Sequence, residues 1–267
     1  MAVTEANFLF CVGAQKAGTT WLYNYFASHP QIHVQSVKEI HYFNVLWDRR
    51  QAGFRRNREN HLDTFARGAA KAAVHQVVSG AGANHSVSVE QGDGGSYEES
   101  RRLVEMYASE EPDHAAYRRL MLDGSNGKPW VADITPDYSV LGGRRYRQMH
   151  DAFPGSRFLY LLRDPVQRLW SHLKMRAEWM CAHVKPGITA GDVLQKVLEG
   201  REKHILDRSN YRGTLFALGH LPADRVKYMF YETMFADGAI AGLCDFLGVD
   251  VHPGNYNHRV RGGWTVS

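Results

Sequence analysis

Three sets of residues in this sequence have the types and spacing to do chemistry. Gln15-Lys16-Ala17-Gly18-Thr19-Thr20-Trp21 sets one lysine among small and hydroxyl residues, directly ahead of an amphipathic run carried by Leu22, Tyr25 and Phe26. A helix N-terminus reached through such a loop gathers unpaired N–H groups and the positive end of the helix dipole, which suits a phosphate or sulfate. Arg163 and Ser171 stand eight residues apart. With one at a strand end and the other two turns into a helix, both can reach a single phosphate, the guanidinium as a bidentate donor and the hydroxyl as a further one. In Lys38-Glu39-Ile40-His41-Tyr42-Phe43 an extended backbone puts Glu39 and His41 on one side, beside aromatic rings. A carboxylate made a better acceptor by desolvation, or an imidazole that works near neutrality by nature, is what general-base catalysis asks for.

The first set nearly fits the nucleoside-triphosphate loop of Gly, four residues, Gly, Lys, then Ser or Thr. Gly13, Gly18 and Thr20 are in register, but Thr19 occupies the lysine position and the loop's cation is Lys16. Moving the charge to the middle of the loop is expected if a different anion is held. Gln15 through Trp21 resembles the 5'-phosphosulfate loop of sulfotransferases that use 3'-phosphoadenosine-5'-phosphosulfate (PAPS). Arg163 with Ser171 is similar to that family's 3'-phosphate motif, and Arg168 and His172 stand beside it as further candidates. Lys38-Glu39 with Phe43 resembles the Lys-Glu-x-x-x-Phe stretch of glycosaminoglycan-type members, in which the glutamate is taken as the base. The resemblance therefore favours Glu39, with His41 as the alternative base. It also implies that Tyr211 lies near the nucleotide and that Thr135-Pro136-Asp137-Tyr138 matches a turn facing the acceptor. Here the family has a lysine where this chain has Ile134, so one cation is missing.

These side chains need strands and helices to hold them. Phe8 to Val12 reads as a strand buried on both faces, and His29-Pro30 stops the following helix near Ser28. Further strands are expected at Ile32 to Val34, Trp130 to Ile134, Arg157 to Arg163 and Val226 to Tyr231. Helices are expected over Tyr97 to Tyr107, Asp113 to Leu122, from Pro165, over Asp192 to Ile205, from Tyr211, and over Met234 to Leu247. Together with the resemblance this gives an α/β fold of P-loop type, with three layers and a central, mainly parallel sheet flanked by helices. One domain over residues 1–267 is expected, with an insertion or mobile loop at 66–96, where Ala, Gly, Ser and His replace apolar periodicity.

The 267 residues are 44% hydrophobic with a formal charge of +4, enough for a sizeable core and mildly suited to anionic ligands without arguing for nucleic acid. Cys11, Cys181 and Cys244 lack metal-ligand or disulfide spacing, Pro30 separates His29 from His33, and no metal is expected. With no signal-peptide pattern and no membrane-length apolar run, a cytoplasmic protein without a membrane partner is expected; oligomeric state stays open. The resemblance implies sulfuryl transfer from PAPS to a hydroxyl or amine of a carbohydrate or small molecule. Lys16 and the loop Gln15, Ala17, Gly18, Thr19, Thr20 and Trp21 would hold the phosphosulfate, with Arg163, Ser171 and Tyr211 completing the nucleotide site. Adenosine 3',5'-bisphosphate is then the product. Glu39, Lys16 and His41 are the catalytic candidates, and Lys38, Thr135 and Asp137 the acceptor contacts. Two other readings remain: a small-molecule kinase, which Thr19 disfavours, or a non-catalytic binder of acidic polysaccharide using Arg49, Arg50, Arg55, Arg56 and Arg58. A basic tail of His258, Arg259 and Arg261 is available to close a nucleotide site.

Overall fold

Five apolar runs pair into one all-parallel sheet: β1 (Asn7–Gly13), β2 (Ile32–Val34), β3 (Trp130–Ile134), β4 (Arg157–Leu162) and β5 (Val226–Phe230), in the order β2-β3-β1-β4-β5. The structure is a computed structural model that describes residues 6–47, 97–108, 112–236 and 238–254. The chain divides into two compact units, one built from the residues before Gln35 and after Gly124 and the other from those between. The sheet belongs to the first. Leu9, Phe10, Cys11 and Val12 of β1 are wholly buried, as a central parallel strand covered on both faces requires. Phe8 and Phe10 pack with Phe153 and Phe158 at ring separations of 4.7 to 6.0 Å.

Helices flank this sheet in a three-layer α/β arrangement. In the first unit they are α1 (Thr19–Ser28), α5 (Gly143–Ala152), α6 (Pro165–His183), α7 (Ala190–Leu198), α8 (Lys203–Asp207), α9 (Tyr211–Leu218) and α10 (Ala239–Leu247), with a 3-10 turn at Pro136–Val140. α1 ends at Ser28 because His29 is extended ahead of Pro30. His29 itself is wholly buried, meeting the carbonyl of Asp250 at 3.0 Å through Nε2 and accepting the Gln31 N–H at 3.1 Å. α6 starts where Asp164 accepts the Gln167 N–H at 2.8 Å and Pro165 takes the first helical position. The trace through the sheet sets the site. β1 leads through α1 to β2 on one side, and β4 leads to β5 on the other, so the connections part between β1 and β4 and open a crevice at their C-terminal ends.

Two expected helices are shorter in the structure. The run Asp192 to Ile205 is two helices, α7 and α8, because Gly200 takes φ +78° after the Glu199 cap. Arg201 N–H then bonds Lys196 O at 2.9 Å and Gly200 N–H bonds Val197 O at 3.0 Å, the paired closure that a left-handed glycine permits. The run Met234 to Leu247 becomes helical only from Ala239, since Gly238 stands at φ +87°. α5 was not anticipated from the sequence.

The second unit contains α2 (Tyr42–Trp47), α3 (Tyr97–Ala108) and α4 (His114–Leu122). Asp113 caps α4 at its start by accepting the Ala116 N–H at 2.8 Å. Gln35 caps its end, its amide donating toward the carbonyls of Leu120, Met121 and Asp123 at 2.6 to 3.2 Å. Tyr42 stacks on Tyr117 at 4.5 Å, and the Tyr107 hydroxyl donates to Ile40 O. The arginine cluster between Arg49 and Arg58, the 66–96 stretch and the basic tail lie outside the described residues.

Leu159→Ala, which hollows the middle of β4, is expected to lower unfolding free energy by about 2–5 kcal/mol in urea titration. Phe230→Ser, at an exposed position on the edge strand, is expected to change it by no more than about 0.5 kcal/mol.

Candidate active site

At the C-terminal ends of β1, β4 and β5, three segments meet. The β1 segment turns through two left-handed residues, Lys16 at φ +70° and Gly18 at φ +95°, before α1 begins. Ala14 N–H bonds Leu161 O at 2.8 Å, tying the loop to β4, and Ala17 N–H closes back on Ala14 O at 3.1 Å. Gly18 is required for space as well as for φ. A Cβ there would lie 2.9 Å from the Tyr231 ring and 3.1 Å from the Met234 sulfur.

Arg163, just after β4, donates from Nη1 to the carbonyl of Lys16 at 3.0 Å, and its guanidinium lies 4.5 Å over the Tyr231 ring. Its backbone is fixed by one hydroxyl: Tyr211 accepts the Arg163 N–H at 3.3 Å and donates to the Arg163 carbonyl at 2.9 Å. Glu232 accepts the next N–H, that of Asp164, at 2.8 Å. A lysine-bearing loop, a helix N-terminus and an oriented guanidinium therefore share one crevice, with the donor chemistry of an anion site. Ser171 is half-buried on α6. Thr19 is buried and Thr20 exposed at the start of α1. Trp21 faces the core, stacked on Tyr25 at 5.5 Å and edge-on to Phe235 at 5.1 Å, so it steadies the helix start from inside.

Beneath the loop lies a buried polar layer. Arg168 is wholly buried and donates toward the carbonyl of Gln15 at 3.5 Å. His172 sits 3.4 Å from its guanidinium, and its pKa falls to about 3 through burial first and the charges of Arg168 and Arg208 second. That imidazole stays neutral and is no proton carrier near neutral pH. Arg208 grips both carboxylate oxygens of Asp137, and Arg176 does the same to Glu202 at 3.0 and 3.1 Å. Thr135 donates to Asp133 at 2.6 Å and Tyr138 to its other oxygen at 2.9 Å. Thr135 and Asp137 are thus turned into the protein at the end of β3, Thr135 at 0% and Asp137 at 3% exposure.

Lys38, Glu39 and His41 belong to the second unit. The extended backbone expected for them is corrected: Glu39 and His41 have φ +61° and +55°. Their side chains still meet, His41 Nε2 lying 3.4 Å from Glu39 Oε2, while His41 Nδ1 lies 3.2 Å from Asn44 Oδ1. Each ring nitrogen thus faces an oxygen, which fixes the ring plane.

The structure brings Gln15 to Trp21, Arg163 and Tyr211 together. Sequence reasoning passed over Tyr231, visible only as the last residue of an expected strand, and Arg208, for which the sequence carries no signal because its partner Asp137 is 71 residues away.

The model of the sulfotransferase family matches residues 9–253. Carbohydrate sulfotransferase 15 of Rattus norvegicus is 29% identical over 173 residues, and that of Homo sapiens 29% over 171; each alignment covers 61% of this chain and 26% of the relative. The chain thus spans about a quarter of the length of these curated relatives. Among solved structures, a sulfotransferase from Alicyclobacillus acidocaldarius aligns with a TM-score of 0.59 at 21% identity, over 96% of this chain and 86% of that one. The sulfotransferase domain from the curacin biosynthetic pathway aligns at 0.52 and 17%, over 93% and 76%. Both share the fold. Because the family match runs from the first strand past the last helix and takes in the whole crevice, this chain belongs to the sulfotransferase family.

Proposed function

We propose that the protein transfers a sulfuryl group from PAPS to a hydroxyl or amine of a carbohydrate or small-molecule acceptor. The observation that carries this reading is the crevice between β1 and β4, where the Arg163 guanidinium is bonded to the Lys16 carbonyl beside the start of α1. Lys16, the α1 N-terminus and Arg163 suit a ligand with anionic groups on two arms, and Gly18 leaves the backbone open where a side chain would crowd it. When bound, PAPS supplies the sulfuryl group and departs as adenosine 3',5'-bisphosphate.

In this reading the residues Gln15 to Thr20 bind the phosphosulfate, and Lys16 offsets negative charge growing on the oxygen that leaves sulfur. Arg163 and Ser171 hold the 3'-phosphate, and Tyr211 keeps the Arg163 backbone in place. Glu39 takes the proton from the acceptor as its oxygen or nitrogen bonds to sulfur, and His41 orients that carboxylate. Lys38 is proposed as an acceptor contact, as are Thr135 and Asp137, which are held by Asp133 and Arg208 within the first unit. As in phosphoryl transfer, positioning and electrostatics supply most of the rate. No helix among the described residues is long and apolar enough to cross a membrane. Three free thiols suit a reducing compartment, and we assign the protein to the cytoplasm.

Calorimetric titration with adenosine 3',5'-bisphosphate, in parallel with ATP and magnesium, is the deciding experiment. Selective binding of the bisphosphate is expected, weakened about 10- to 100-fold in Arg163→Ala; selective binding of ATP would replace this reading with that of a kinase. Lys16→Ala is expected to weaken bisphosphate binding and to lower turnover with PAPS by about 10²–10³-fold. Glu39→Gln is expected to lower turnover by about 10²–10⁴-fold while leaving bisphosphate affinity unchanged, and wild-type turnover in that variant would move the base to His41.

A further inference from the structure

Arg168, on the first turns of α6, is the largest side chain in the wholly buried set. A guanidinium fully removed from water is ordinarily matched by a carboxylate or phosphate. Here the partners are neutral. Nη1 points toward the Gln15 carbonyl at 3.5 Å and the His172 Nδ1 at 3.4 Å, and Nη2 donates to Ser209 Oγ, whose hydroxyl in turn donates a hydrogen bond to Ile205 O at 2.8 Å. Its buried Nε has no hydrogen-bond partner among the described residues, and neither has the buried Oε1 of Gln15. The three carboxylates of this layer are already committed, Asp137 to Arg208, Glu202 to Arg176 and Asp133 to the hydroxyls of Thr135 and Tyr138. His172 remains neutral and cannot add charge of either sign.

A buried cation thus lies against the peptide that opens the anion loop, and no carboxylate among the described residues pairs with it. We propose that Arg168 is a positioning residue whose counter-charge is the 5'-phosphate end of the bound nucleotide: it holds the loop through the Gln15 carbonyl and favours an anion in that loop over a neutral group. This rests on the nucleotide-binding reading above and adds to it the residue that makes the 5' end selective for charge. Arg163 sits in the same crevice but in a different layer, stacked on Tyr231.

The test compares three ligands by calorimetry on the whole chain: adenosine 3',5'-bisphosphate, adenosine 5'-phosphate and adenosine 3'-phosphate. Arg168→Met, which keeps an apolar side chain of similar reach, is expected to melt at or above the wild-type temperature, since removing a buried unpaired charge is often neutral or stabilising. It is expected to lose about tenfold in affinity for the two ligands carrying a 5'-phosphate and nothing for the 3'-phosphate alone. Arg168→Lys, which keeps the charge, is expected to hold the 5' preference to within about threefold of wild type. Unchanged affinities in Arg168→Met, or an equal loss for all three ligands, would overturn the proposal. Should Arg168→Met fail to fold, Arg168→Lys decides alone: loss of its 5' preference rejects the role of charge and retention supports it. A wild-type protein that binds none of the three overturns the nucleotide reading itself.

Discussion

The contact between the Arg163 guanidinium and the Lys16 carbonyl joins the two strand ends on which the site depends. Adjacent parallel strands deliver their chain exits to the same edge of the sheet, but nothing in a ladder of backbone bonds fixes the direction each chain takes on leaving it. A side chain from one exit bonded to the backbone of the other supplies that direction. Around this one bond the remaining features fall into place: Gly18 keeps clear the space that Tyr231 fills, and Tyr231 in turn carries the guanidinium on its face.

Much of this was legible in the residues. The middle strands β1 and β4 are nearly continuous apolar runs, and a run buried on both faces has few alternative structures. Pro30 and Pro165 marked one helix end and one helix start, because proline restricts both its own backbone and that of the residue before it. The order of strands was not legible, since pairing depends on contacts between segments far apart in sequence, and so the neighbour relation of β5 to β4 that brings in Tyr231 was out of reach. Gly200 and Gly238 were visible as letters. Their left-handed conformations, which split or shorten two expected helices, were not, because a glycine inside an apolar pattern is compatible with either outcome.

The site was legible to different depths. The candidate anion loop was legible because its lysine and small residues stand in unbroken sequence. The pairing of Glu39 with His41 was expected for the wrong backbone: both lie in the left-handed region, where a short segment curls and brings alternate side chains together by a different route. The buried layer around Arg168, Arg208 and Asp137 could not be found from sequence, since its members are scattered over the chain and become a cluster only through packing.

Tyr211 has a consequence of another kind. Its single hydroxyl satisfies both the donor and the acceptor of Arg163's main chain, the task that a neighbouring strand performs for a residue inside a sheet. The ladder can therefore end one residue earlier than hydrogen bonding alone would allow, and the arginine leaves the sheet without exposing an unmet peptide group. The two residues are 48 positions apart and on different elements, yet they are not independent letters. A change at Tyr211 therefore alters the support of Arg163's main chain, so the first residue of α9 is energetically coupled to the end of β4 although its own side chain carries no charge.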